Sequence, residues 1–139
     1  MNKRNIGYLL KLITDRIKIQ ADAELKQYGL TLTQSRVLGF LWDKGGQATQ
    51  KETEDFLECS HPTVVGIISR MERDGFVTTW FDADDKRNKI IKLTGKAHSA
   101  GKEMKTVISR HEEKILRSLT DEQIDELEKM LCIIYKNVL

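Results

Sequence analysis

The side chains best suited to recognition chemistry fall in two short stretches, Ser60–Arg73 and Asp85–Arg87. In the first, Val64, Ile67, Ile68 and Met71 recur at helical spacing and define an inner face, which turns His61, Thr63, Val65, Gly66, Ser69, Arg70 and Arg73 outward. Ser60 suits the cap of this helix, and Pro62 its first turn, where a missing N–H costs nothing. The major groove of duplex DNA admits one helix, and an outer face of this kind matches the base edges exposed there. His61 and Thr63 stand in the first turn, where a reading helix inserts. Val65 offers apolar contact to a thymine methyl, and Gly66 permits close approach while reading nothing itself. Arg70 and Arg73 sit further back, placed for phosphates or for internal ion pairs. Taken alone, the segment fits equally well a buried helix with an ordinary polar exterior.

The second stretch tips the balance. Asp82-Ala83-Asp84-Asp85-Lys86-Arg87-Asn88 joins turn-forming acids to two cations between two β-prone runs, Phe76–Phe81 and Lys89–Leu93. An arginine at the tip of such a hairpin suits the negative potential of a narrow minor groove, which makes Arg87 the first choice for that contact, with Lys86 beside it. Asp85 is better placed to orient the cations than to face a phosphate that would repel it. Thr49 and Gln50, at the start of the preceding helix, are candidates for the DNA backbone together with Arg73, because free N–H groups at helix starts favour phosphate oxygens.

Other chemistries find little support. No glycine-rich phosphate loop, nucleophile elbow or paired acid and base occurs in a recognisable frame, so an enzyme is not expected. His61, His98 and His111 lack the spacing and companion thiols or carboxylates of a metal site, and no cofactor is expected. Cys59 and Cys132 are far apart and read as reduced thiols; Cys59 precedes a helix start that could lend it thiolate character, with a buried inert thiol as the simpler alternative. A basic groove with interleaved aromatics, as single-stranded nucleic acid requires, is absent from the sequence.

These residues need elements to hold them. Ile6, Leu9, Leu10, Ile13, Ile17, Ala21 and Leu25 mark a long amphipathic first helix closed by Gly29. A second helix is expected from Thr33 as its cap, with Val37, Leu38, Leu41 and Trp42 inward and Gly45-Gly46 as its end. Thr49-Gln50-Lys51-Glu52 is a capping box that opens a third helix running to about Glu58. The reading helix follows, stopped by Gly75. Beyond the hairpin, Ala97, Ala100, Met104, Val107, Ile108, His111 and Ile115 line a fifth helix, and Thr120 with Gln123 opens the last, whose apolar face is Ile124, Leu127, Leu131, Ile134 and Val138. The expected fold is mainly α with a small β-hairpin wing, a winged helix-turn-helix within one domain.

The composition agrees. The chain has 139 residues, 40% hydrophobic and 32% charged, with a single proline, which suits one helical globular domain. A formal net charge of +2 is too mild to indicate nucleic-acid binding by itself, but the charge is segregated. Residues 86–105 are strongly basic and residues 112–129 mainly acidic. The start, Met1 to Arg4, is polar and basic, and no apolar run approaches the ~18 residues that span a bilayer, so a cytoplasmic protein without membrane association is expected.

Several segments recur together in a known pattern: Gly29-Leu30-Thr31-Leu32-Thr33-Gln34; Ser60-His61-Pro62-Thr63-Val64 leading to Met71-Glu72-Arg73-Asp74-Gly75-Phe76-Val77; Asp82-Ala83-Asp84-Asp85-Lys86-Arg87; and Leu93-Thr94-Gly95-Lys96-Ala97. In order and spacing the chain resembles the MarR (multiple antibiotic resistance regulator) family over almost its whole length. The resemblance implies a single domain over residues 1–139, with a winged helix-turn-helix lobe at 31–94 and dimerisation helices at 1–30 and 95–139. It implies a homodimeric repressor on palindromic double-stranded DNA, with Arg87 in the minor groove and Thr63, Val65 and Gly66 facing the major groove. Family members often carry a basic or polar residue where this chain has Gly66, and Arg or Lys where it has Phe81. The dimerisation surface would draw on Ile6, Leu9, Leu10, Ile124, Leu127, Leu131, Ile134 and Val138, whose stripes exceed what a small wing domain can cover. Many relatives respond to small, often phenolic, effectors; Tyr8, Tyr28, Trp42 and His98 are candidates to line such a cavity here, with plain core or surface as the competing reading. Some relatives sense peroxide through a cysteine near the start of helix one, where this chain has none. A winged-helix protein-interaction module remains the alternative, since fold does not fix function.

Overall fold

The computed structural model describes residues 5–139; the polar, basic start at residues 1–4 lies outside the described residues. Six α-helices and three strands follow in the order α1 (Ile6–Leu25), α2 (Leu32–Asp43), β1 (Gln47–Thr49), α3 (Gln50–Leu57), α4 (His61–Arg73), β2 (Val77–Phe81), β3 (Lys89–Leu93), α5 (Gly95–Leu116) and α6 (Asp121–Asn137). By its internal contacts the chain divides into two compact units, one through Val107 and the other Ile108–Leu139.

Capping chemistry sets most boundaries. Asn5 caps α1 by accepting from the Tyr8 N–H (3.0 Å), and a 3₁₀ turn, Lys26–Tyr28, ends at Gly29 in the left-handed region (φ 73°). Helix α2 starts two residues earlier than the sequence suggests. Its cap is Thr31, whose hydroxyl accepts from the Gln34 N–H (3.2 Å) while the Gln34 side chain accepts from the Thr31 N–H (3.1 Å). The competing cap, Thr33, lies inside the helix. Asp22 of α1 accepts from the Leu32 N–H (2.7 Å), tying the start of α2 to α1.

The first unit is built on Leu25, Leu30, Val37, Leu38, Leu41, Val64, Ile68, Met71, Phe76, Val77, Ile91, Leu93, Ala97 and Met104, all buried. Apart from Leu30 and Phe76 in the connections, these come from α1, α2, α4, β2, β3 and α5, with Ala48 of β1 also buried and the half-buried Leu57 of α3 packed against them, so a shared core orients α4 and the hairpin together. Trp42, expected in the inner stripe of α2, is only half-buried, and Ile108 of α5, also expected inward, is 36% exposed.

The sheet holds one strand more than the sequence shows. Its order is β1-β3-β2, all antiparallel, with Ala48 opposite Ile91 on one side and Thr79 opposite Ile91 on the other. The wing is therefore a hairpin whose second strand is also held by β1. In the second unit, α6 opens with the expected box, Thr120 accepting from the Gln123 N–H (3.1 Å) and Gln123 from the Thr120 N–H (2.9 Å). His111 is buried there, and neither ring nitrogen has a hydrogen-bond partner among the described residues.

Candidate nucleic-acid interface

Helix α3 supplies the base of the interface. Its capping box is closed, with the Thr49 hydroxyl accepting from the Glu52 N–H (3.1 Å) and the Glu52 carboxylate from the Thr49 N–H (3.0 Å). The bond from the Thr49 N–H, helped by Lys44 at 3.1 Å, holds the Glu52 carboxyl below the usual carboxylate range. Lys51 is raised above the ordinary lysine value by its hydrogen bond and attraction to Asp55 at 3.0 Å. Thr49 commits its N–H to the box and accepts there through its hydroxyl, and the Gln50 side chain is buried, its amide having no hydrogen-bond partner among the described residues.

Helix α4 presents the expected face. Val64, Ile67, Ile68 and Met71 are buried, while His61, Pro62, Thr63, Val65, Ser69, Arg70 and Arg73 are exposed. Ser60 holds the cap position with extended backbone, but its hydroxyl pairs with that of Thr63 (2.9 Å) instead of a backbone N–H. His61, the first residue of the helix, joins Nδ1 to a carboxylate oxygen of Glu54 on α3. A Cβ placed on Gly66 would lie 3.5 Å from Nη1 of Arg70, so the guanidinium of Arg70 lies over Gly66, one turn nearer the inserting end than its sequence position implies. Arg73, by contrast, is bound to Asp74 through Nε (3.1 Å) and Nη2 (3.4 Å), a pair that raises the arginine and lowers the aspartate from their ordinary values. Its charge is already half-answered.

The wing is set by two further contacts. Glu72 of α4 accepts from both the N–H (2.9 Å) and the hydroxyl (2.6 Å) of Thr79 in β2, which locks the strand to the reading helix. At the tip Asp85 accepts from the N–H (3.1 Å) and Nε (3.3 Å) of Arg87, the orienting role its sequence position suggests. The Arg87 side chain is 92% exposed, and Lys86 is exposed beside it. His61 and Val65 of α4, Gln50, Lys51 and Glu54 of α3, and Phe81, Asp85, Arg87, Asn88 and Lys89 of the wing line one open groove of about 600 Å³. The convergence of α3, α4 and the wing tip, and above all the Glu54–His61 pair, is invisible in sequence spacing alone.

The remaining candidates lie elsewhere. Ile6 is 49% exposed and Leu9 and Leu10 are half-buried on α1. On α6 Leu131 is 39% exposed, and Val138 just past its end is 75% exposed, whereas Ile124, Leu127 and Ile134 are half-buried. Of the aromatic candidates for an effector cavity, Tyr8 is exposed on α1 and Tyr28 packs against the core. Trp42 meets the His98 ring edge-on (centroids 5.8 Å, 79°) and carries the Lys105 ammonium 5.1 Å over its own ring. Among the described residues, no helix is long and apolar enough to cross a membrane.

A short helix packed before a reading helix, followed by a wing that shares its groove, defines a winged helix-turn-helix regulator of transcription. A sequence model of the MarR family matches residues 28–88. An uncharacterized HTH-type transcriptional regulator of Bacillus subtilis (strain 168), YwoH, is 33% identical over 103 residues, 74% of this chain and 74% of YwoH. The chain belongs to the MarR family. Among solved structures, that of MepR from S. aureus in complex with DNA matches with TM-score 0.90 at 25% identity, covering 97% of this chain and 99% of that one. The organohalide-sensing regulator RdhR, in its 2,4-dichlorophenol-bound form, matches with TM-score 0.87 at 26% identity over 97% of this chain and 82% of its own. A mutant of MarR from E. coli complexed with operator DNA shares the fold, with TM-score 0.85 at 18% identity over 94% of each chain.

Proposed function

We propose that this chain is a sequence-specific double-stranded DNA-binding repressor that works as a homodimer on a palindromic operator and is released by a small aromatic effector. The carrying observation is that the first turns of α4 and Arg87 of the wing border one groove, which suits a helix in the major groove and a cation in the adjacent minor groove. Thr63, Val65 and Ser69, with the Arg70 guanidinium over Gly66, form the reading face; Arg87 and Lys86 form the minor-groove contact. Phosphates are met by first-turn N–H groups and surface cations.

Residues 31–94 act as the reading lobe, and α1, α5 and α6 carry pairing, since their exposed apolar side chains are of the kind a partner copy covers. Two heads spaced by about one helical turn, ~34 Å, then read two half-sites. The likeness to RdhR with its bound chlorophenol supports a phenolic effector, and MepR and MarR, both in complex with DNA, support the DNA reading.

The test is selection from a random duplex pool at two salt concentrations, with Arg87→Ala beside the wild type. A recovered palindrome, a steep fall of affinity with salt, and a variant weakened by about 1–3 kcal/mol per head are expected. No enrichment at low salt would defeat the proposal and bring the protein-interaction module forward.

A further inference from the structure

We propose that Glu54 is a positioning residue that turns His61 into a proton-gated reader of one base pair in each half-site. This rests on the reading of the chain as a duplex-DNA binder.

The His61 side chain is 70% exposed at the start of α4, whereas that of Glu54 is only 13% exposed on α3, seven residues earlier. The carboxylate has no donor capacity when ionised, so the Nδ1 it faces must carry the hydrogen. That fixes the tautomer and ring orientation, and Nε2 is the nitrogen left to face the DNA. In the neutral ring Nε2 is an acceptor, able to take a hydrogen bond from cytosine N4 or adenine N6 in the major groove. One added proton makes it a donor, which suits guanine N7 or O6, or a phosphate, and clashes with an exocyclic amine. The contact therefore reverses polarity without any movement of the helix.

The charged groups facing His61 in the groove are Glu54 and Lys51 on α3 and Asp85, Arg87 and Lys89 on the wing. Both signs are present on each side, and Glu54 is hydrogen-bonded to the ring.

The experiment repeats the duplex selection at about pH 5.5 and about pH 8 for wild type, His61→Gln and Glu54→Gln, with folding checked by far-UV circular dichroism. In the wild type, the preference at one symmetric position should move from a base with an exocyclic amine donor at high pH toward guanine at low pH, by about five- to tenfold. His61→Gln should bind with a preference at that position independent of pH. Glu54→Gln, isosteric but able to meet either tautomer, should bind with the preference blurred at both pH values. A wild type that selects the same sequence at both pH values, or a shift that survives in His61→Gln, overturns the proposal while leaving the DNA-binding reading intact. Failure of the wild type to enrich any duplex at either pH overturns both.

Discussion

Alanine in place of a glycine inside a helix normally adds about 1 kcal/mol of stability, because the unfolded chain loses freedom and the helix gains a good former. Gly101 of α5 should behave in the opposite way. A Cβ built there would stand 1.3 Å from Cη2 of Trp42 and 2.0 Å from Cζ2, against about 3.5–4.0 Å for carbon atoms in contact. The indole must withdraw by roughly 2 Å, at an overpacking cost of about 1–3 kcal/mol. Withdrawal also breaks its edge contact with His98 and lifts it from Lys105, about 0.5–1 kcal/mol more. After the propensity gain of about 1 kcal/mol, Gly101→Ala should lose about 0.5–3 kcal/mol. For a chain of 139 residues this is a fall in Tm of roughly 2–10 °C. The assay is guanidinium unfolding followed by far-UV circular dichroism for Gly101→Ala, Trp42→Ala and the double variant. With the indole absent, the added methyl should recover its ordinary gain, so the double variant should be about 1 kcal/mol more stable than Trp42→Ala alone. A stabilising Gly101→Ala in the native background would refute the packing reasoning, and so would simple additivity.

Two further outcomes follow from the interface. Glu52→Ala should cost about 0.5–1 kcal/mol at neutral pH through the lost half of the α3 box. Because the folded carboxyl sits below its unfolded value, its contribution is full above the unfolded value and disappears as pH falls through the folded one; melting curves at pH 7 and about pH 3 should show the gap to wild type closing. An unchanged gap would remove the carboxylate from the account. Gly66→Ala should fold normally, its methyl meeting the Arg70 guanidinium at an ordinary 3.5 Å, whereas Gly66→Lys should displace that guanidinium and change the selected base sequence with little effect on Tm. Identical operator preference in Gly66→Lys and wild type would deny Arg70 its forward reach.

The helices were legible because their ends carry local chemistry: the boxes at Thr49 and Thr120 are complete within four consecutive residues. The Thr31 cap was equally legible, since Gln34 stands three residues on, but Thr33 offered a competing hydroxyl without an acidic or amide partner at the matching position. Strand β1 was not legible. It spans only Gln47–Thr49, too short for alternation, and its partner β3 lies far along the chain. Side chains that lean across a turn or between helices were hidden for the same reason: spacing shows that Arg70 and His61 face outward, but not that one lies over Gly66 or that the other meets Glu54. Arg73 faced outward as expected and is engaged by its immediate neighbour, Asp74.

The order β1-β3-β2 makes the wing a cantilever clamped at its root. One strand is fastened on both edges and the other is pinned by Glu72, so bending is confined to residues 82–88 beyond the clamp. Insertions, deletions and charge changes in that free end should leave the root and the core undisturbed. On the proposed reading, the minor-groove contact can thus drift among descendants of such a chain by editing the overhang, without renegotiating the stability of the fold that carries it.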